Sequence, residues 1–341
     1  MSLKKIAEMT GVSISTVSRV LNNRDYNCAS AELKNRIWKA AEEIQYVPNE
    51  SARNLKLGQS HEKSRPKWRF AVILERFESL DDDPFFRELF RSVEQEIFSN
   101  GCTISEICTA STIYGQSHES ESVFVKSCIG LPAADGFIIL GRSSSHLLEV
   151  LKKTTRNIVS INRNPTHFEI DEVICDGRAA AVCAMEYLVR KGDRHIGYIG
   201  DCSYENRYVG YCDTMIKNDL PIDYSSIFPT AQTTPEGYAA MKKMLLNPSI
   251  DAVFCANDAT AIGAAKAYLE AGKQSMPQLD LISIDDIQAA QELPLPLTTV
   301  HIPSEDMGKT AVKILLDRIR KGHTEKFRAE FPSRLIIRES A

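Results

Sequence analysis

The chain has 341 residues, enough for two or three folding units, and its 43% apolar and 25% charged residues are those of an ordinary soluble globular protein. No apolar run approaches the roughly 20 residues of a membrane span. The start MSLKKIAEMTG lacks a signal peptide's apolar core and cleavage site, so a cytoplasmic protein with no membrane partner is expected. Net charge is −4, but residues 1–60 carry nine Lys/Arg against six Asp/Glu, a mildly basic head on an acidic body. The nine cysteines form no CxxC pair and read as small buried hydrophobes kept reduced, with no metal site.

The head opens with LKKIAEM, which places Leu3, Ile6 and Ala7 on one face of a short amphipathic helix. Gly11 follows, suited to a chain leaving a helix at positive φ. Ser13 is a candidate N-cap for a second helix, Ile14 to Leu21, whose inward face is Val17, Val20 and Leu21. A small residue at the crossing (Ala7), a flexible corner (Gly11) and a branched lock (Val17) mark a helix-turn-helix. The opposite face offers Ile14, Ser15, Thr16, Ser18 and Arg19. Short side chains let such a helix lie deep in a major groove, and Arg19 can donate two hydrogen bonds to a guanine. A third helix, Ala31 to Ile44, closes the small core with Leu33, Ile37, Ala40, Ala41 and Ile44. Pro48 ends it. The segment Ser51 to Gly58 has one or two helical turns' worth of chain and needs a partner to be stable.

Residues 59–68 are polar and aperiodic, and read as a linker. Beyond it, β-rich runs recur at 69–74, 102–107, 136–140, 157–161, 195–200, 251–256 and 280–284. Helical stretches separate them, for example Phe86–Ser99, Arg178–Arg190, Glu236–Leu246 and Ala259–Ala271. Alternating strand and helix with near-continuous apolar strands predicts parallel sheets covered on both faces, in two lobes around a cleft. Polar residues stand at the C-terminal ends of strands, where such sheets bind ligands. They are Asn162, the pair Asn257-Asp258 and the pair Asp285-Asp286, with Arg207 after HIGYIG. Donors and acceptors in both directions suit sugar hydroxyls.

The run LKKIAEMTGVSISTVSRVLN followed by YVPNESARNLKLG resembles the LacI/GalR (lactose repressor) family. So do NIVSINRNP, DRHIGYIGD, AVFCANDATAIGAAKAYLEAG, ISIDDI and LTTVHIPSEDMGKTAV, which look like that family's sensor. The resemblance implies an all-α helix-turn-helix head with a hinge helix near 50–57, within residues 1–58, and an α/β sensor over 69–341 resembling periplasmic sugar-binding proteins. Its two lobes are expected at roughly 69–161 with 290–320, and 162–289 with 321–341. It implies that Ile14, Ser15 and Arg19 read bases, with Ser13, Thr16, Ser18, Asn22, Ser30, Tyr46, Asn49, Ala52 and Lys56 completing the DNA-contacting set. Leu55 matches the leucine that relatives wedge into the minor groove, a device that unstacks and bends the duplex. It also implies an effector clamp of Arg207, Asn257 and Asp285 with Asn162, and Phe85 or Phe86 of the segment DPFF stacking on a sugar ring. DPFF and FIILGR lean toward the galactoside-type members.

The implied protein is a homodimeric repressor on palindromic double-stranded DNA, its affinity set by a small sugar-like effector, with no cofactor. No heptad repeat follows FPSRLIIRESA, so a tetramerising coiled coil of the lactose-repressor kind is not expected. An enzyme is disfavoured because no G-x-G-x-x-G follows the early strands and no H-E-x-x-H is present.

Overall fold

The structure, a computed structural model, describes residues 3–13, 16, 17, 20, 30–43, 67–76, 78–114, 134–164, 168–203, 205–272 and 279–341. The chain divides into two compact units, Met1–Ser64 and Arg65–Ala341.

In the first unit α1 (Leu3–Thr10) ends at Gly11, whose φ of +68° carries the chain out of the helix. The Val12 amide closes this turn on the Ala7 carbonyl. Ser13 Oγ accepts from the Thr16 amide at 3.2 Å and its carbonyl from the Val17 amide, and Thr16, Val17 and Val20 are helical. Ser30 caps α2 (Ala31–Glu43) in the same way, accepting from the Leu33 amide. Ile6, Ala7, Val17, Val20, Ile37 and Ala40 form one buried cluster, so the apolar spacing read from the sequence is the core. Arg36 donates to the Thr10 carbonyl at 2.9 Å and ties α2 to the end of α1.

The second unit alternates strand and helix. Its first part runs β1 (Arg69–Leu74), α3 (Pro84–Ser99), β2 (Thr103–Thr109), α4 (Ala110–Tyr114), β3 (Gly136–Leu140), α5 (Ser145–Thr154), β4 (Ile158–Asn162) and β5 (Asp171–Ile174). Next come α6 (Gly177–Lys191), β6 (Ile196–Gly200), α7 (Asn206–Lys217), β7 (Ile227–Pro229), α8 (Thr234–Met244), β8 (Ala252–Cys255) and α9 (Asp258–Ala271). The chain closes with β9 (Asp280–Asp285), α10 (Gln288–Gln291), β10 (Thr298–His301), α11 (Ser304–Ile319), β11 (Arg328–Glu330) and β12 (Arg334–Ile336).

Two six-stranded sheets result, in the orders β11-β5-β4-β3-β1-β2 and β12-β10-β9-β8-β6-β7. All pairings are parallel except β12 with β10. β3, β4, β8 and β9 are buried along their whole length, as strands covered on both faces must be. Each sheet reverses its strand order once, between β1 and β3 and between β6 and β8, and both switch points open toward the carboxyl ends where ligands bind.

The lobe boundaries differ from those expected. β5 pairs with β4 and stays in the first sheet, although it lies within 162–289. β10, expected in the first lobe with 290–320, pairs with β9 in the second. β11 lies within 321–341 yet pairs with β5 in the first sheet. The chain therefore crosses between sheets at 175–176, at 302–303 and at 331–333. Strands of three or four residues leave no periodic signature to assign them by, and register with a neighbour decides their sheet.

Glycines set how closely two helices approach. A Cβ on Gly237 of α8 would lie 2.1 Å from the Thr260 carbonyl oxygen of α9, and one on Gly263 would lie 1.9 Å from that of Thr234. The tripeptide Gly308-Lys309-Thr310 falls inside α11, not on a strand-to-helix loop, so it is no phosphate cradle. Four of the described cysteines are buried, and burial pushes the Cys175 thiol up to about 12, consistent with inert packing. No helix among the described residues is long and apolar enough to cross a membrane.

Candidate effector cleft

The carboxyl ends of the two sheets bring together one polar network. Asp83 precedes α3 and caps it, its Oδ1 accepting from the Phe85 amide at 2.9 Å, which aims Oδ2 away from the helix. Arg163 follows β4. Its Nη2 donates to Asp83 Oδ2 at 2.9 Å and its Nη1 to Asp285 Oδ2 at 2.7 Å. Its guanidinium carbon lies 4.6 Å from the Phe85 ring centroid and 5.1 Å from that of Phe86. Both rings are buried. Arg163 thus links the first lobe, through Asp83, to the second, through Asp285.

Asp285 ends β9 with a φ of +126°, and Asp286 follows at +59°, two strained residues in succession. Asp286 is held by His301 at 2.9 Å and by Arg338, beside the crossings at 302–303 and 331–333. Behind the turn lies Asp258, fully buried, which accepts from Ser283 Oγ, Thr299 Oγ1 and the Ile287 amide. Burial and then the neighbouring Asp285 push the Asp258 carboxyl up to about 7. Burial likewise raises Asp285, to about 6, against the pull of Arg163.

Arg207, in the first turn of α7, is 3% exposed and already engaged. Its Nε and Nη2 donate to the two carboxylate oxygens of Glu205 at 2.8 and 2.9 Å. Its Nη1 reaches the Ala256 carbonyl, and Nη2 also reaches Gln232. Burial alone would raise Glu205, but this bidentate pairing prevails and holds it at about 2. Asn164 donates to Glu205 at 3.2 Å, a second link between the lobes. Two buried acceptors, Asp285 Oδ1 and Asn164 Oδ1, receive no hydrogen bond from the described residues.

Of the residues singled out in the sequence, Phe85, Phe86, Arg207 and Asp285 come together here. Asn257 caps α9, its Oδ1 accepting from the Thr260 amide and hydroxyl while Nδ2 donates to the Gln232 carbonyl. Asn162 accepts from the Arg163 amide and shapes the strand end. Arg163, Glu205, Gln232 and Asn164 were not anticipated. Only Arg163 carried a signal, as a cation directly after a strand-end asparagine. In the head, Ser13, Thr16 and Ser30 stand at helix starts. Ile14, Ser15, Ser18, Arg19, Asn22, Tyr46, Asn49, Ala52, Leu55 and Lys56 lie outside the described residues.

Two lobes of parallel sheet around a polar cleft define a ligand-binding sensor of the periplasmic-binding-protein type, here following a helix-turn-helix head. Comparison with known proteins gives the same division. Residues 185–341 match a periplasmic binding protein-like domain, and residues 2–49 match the lacI family of bacterial regulatory proteins. The chain is thus similar to the LacI family of transcriptional regulators.

It is 27% identical over 345 residues to the transcriptional repressor PurR of Aliivibrio salmonicida, covering 99% of this chain and 98% of that one. It is 29% identical over 349 residues to the repressor MelR of Bacillus subtilis, covering 99% and 96%. Among solved structures, a complex of the regulator CelR with cellobiose superposes with a TM-score of 0.69 at 23% identity, over the full length of both chains. The lac repressor dimer bound to operator and the anti-inducer ONPF gives 0.66 at 20%, covering 100% of this chain and 98% of that one. These likenesses of structure speak for the fold.

Proposed function

We propose that the chain is a repressor that binds a palindromic operator as a homodimer and responds to a small, sugar-like effector in the cleft between its lobes. The observation that carries this reading is the network from Asp83 through Arg163 to Asp285, whose members come from both lobes. A molecule bound there has different contacts when the lobes move, and only such differential binding can shift a two-state equilibrium. A solved relative holds cellobiose and another, from Enterococcus faecium, holds ribose, which supports a sugar as the effector class. The galactoside-type lean of DPFF and FIILGR gains no support from the relatives by sequence named above, which are PurR and MelR repressors.

In this reading Ile14, Ser15 and Arg19 contact bases, Leu55 enters the minor groove, and Arg207, Asn257 and Asp285 frame the effector. The effector alters the angle between lobes, and the hinge near 50–57 orders over DNA or releases it. A ligand that favours the open arrangement induces, and one that favours the closed arrangement acts as corepressor. The test is Leu55→Ala in a gel-shift titration on an operator selected by the wild-type protein. Operator affinity is expected to fall by about tenfold or more, since a lost wedge forfeits a bent, more fully contacted duplex. Unchanged operator affinity would overturn the wedge assignment.

A further inference from the structure

The centre of the cleft is filled by the chain itself. The two features through which a sugar would be held, the Phe85–Phe86 rings and the Asp285 carboxylate, are both taken by one guanidinium, 8% exposed and bonded to a carboxylate on each side. The other buried arginine is bound to Glu205. Three carboxylates, Asp83, Glu205 and Asp285, thus face two guanidinium groups. The cleft acceptors that receive no hydrogen bond from the described residues are also of one kind: Asp285 Oδ1 and Asn164 Oδ1. The cleft asks its ligand for hydrogen-bond donors.

We propose that Arg163 is a built-in occupant of the effector seat, and that an effector binds by replacing its guanidinium on Asp83, Asp285 and the two phenylalanine rings. What can do so is a molecule with several donors and an apolar or cationic face: an uncharged polyol, or an amine or amidine. A phosphate ester or a carboxylate meets three carboxylates and offers acceptors where donors are needed. Because the occupant is covalently attached, it also holds the lobes together without a ligand, and every effector competes against it. The inference rests on reading the cleft as the effector site, and it adds what the site excludes.

The seat can be tested with a ligand of known identity. Arg163→Ala leaves the two carboxylates and the rings, and methylguanidine is the lost group made diffusible. Methylguanidine is expected to raise the melting temperature of Arg163→Ala by about 3 °C at tenfold excess over its dissociation constant, and to leave the wild type unchanged. If Arg163→Ala does not fold alone, refolding with methylguanidine is expected to recover soluble protein. A folded Arg163→Ala indifferent to methylguanidine, or one not recovered by it, overturns the proposal.

A second arm uses glucose, ribose, cellobiose and glucose 6-phosphate. Any neutral sugar that binds the wild type is expected to bind Arg163→Ala about tenfold tighter, since the competitor is gone. Preferential binding of glucose 6-phosphate to the wild type would contradict the exclusion of anions. Methylguanidine rescue with no sugar effect on operator affinity would leave the seat standing while the effector reading fell, so the two failures are distinguishable.

Discussion

Arg163, one residue past the end of β4, donates to the carboxylate of Asp285, the last residue of β9 in the other sheet, over 2.7 Å. Neither group touches water to any extent, with side chains 8% and 2% exposed. The pair therefore acts at low dielectric, where removal of one partner leaves an uncompensated charge. The same reasoning applies at the other buried arginine. Glu205→Gln is expected to cost about 3 kcal/mol of stability, because Arg207 keeps its burial and loses its counter-charge. Urea denaturation of the two proteins measures the difference, and a loss below about 0.5 kcal/mol would show that Gln232 and the Ala256 carbonyl suffice for Arg207.

Asp258 gives the stability of the sensor a pH slope. Its folded value near 7 stands above the ordinary 3.8, so the native state holds a proton that the unfolded chain has released. The contribution is present at low pH and is lost as pH rises between those two values. Asp285, at about 6, adds to it with the same sign. Glu205, at about 2, contributes in the opposite sense, but its contribution is lost only below its ordinary 4.5. Wild-type melting temperature is expected to fall from about pH 5 to about pH 8, and Asp258→Asn to flatten that fall. An equal slope in both proteins would remove Asp258 as its source.

The close approach of α8 and α9 makes a separate prediction. Gly237→Ala and Gly263→Ala each drive a methyl group into a backbone carbonyl that has no rotamer to adopt. Each is expected to destabilise the second lobe by about 3 kcal/mol or more, read as a lower urea midpoint. The glycines touch the same pair of helices, so the double variant is expected to cost less than the two losses added. Full additivity would mean that the helices do not separate as a unit.

Long, strongly patterned elements were legible in the sequence. Residues 69–74 and 136–140 are strands with the bounds read from them, and Ile6, Val17, Val20 and Ile37 are the core of the head. What escaped was the assignment of β5, β10 and β11 to their sheets, because three or four residues carry no period and take their place from long-range pairing. In the cleft, Asp285 at a strand end and Arg207 after HIGYIG were legible in the sequence as polar residues following strands. Arg163 was not, because its role comes from meeting Asp83, 80 residues earlier, and Asp285, 122 residues later. Ser283 donates to Asp258 beside the strained Asp285–Asp286 turn, a contact visible only once β8 and β9 lie side by side.

The most direct test of a DNA-binding sensor read through its cleft is one titration. The full chain selects a site from a random duplex pool, and its affinity for that site is measured with and without each neutral sugar, for the wild type and Asp285→Ala. A symmetric site is expected, with an affinity that shifts about tenfold or more with at least one sugar, and a variant that binds the site without that shift. An unsymmetrical or absent site, or a sugar response that survives in Asp285→Ala, would contradict this reading.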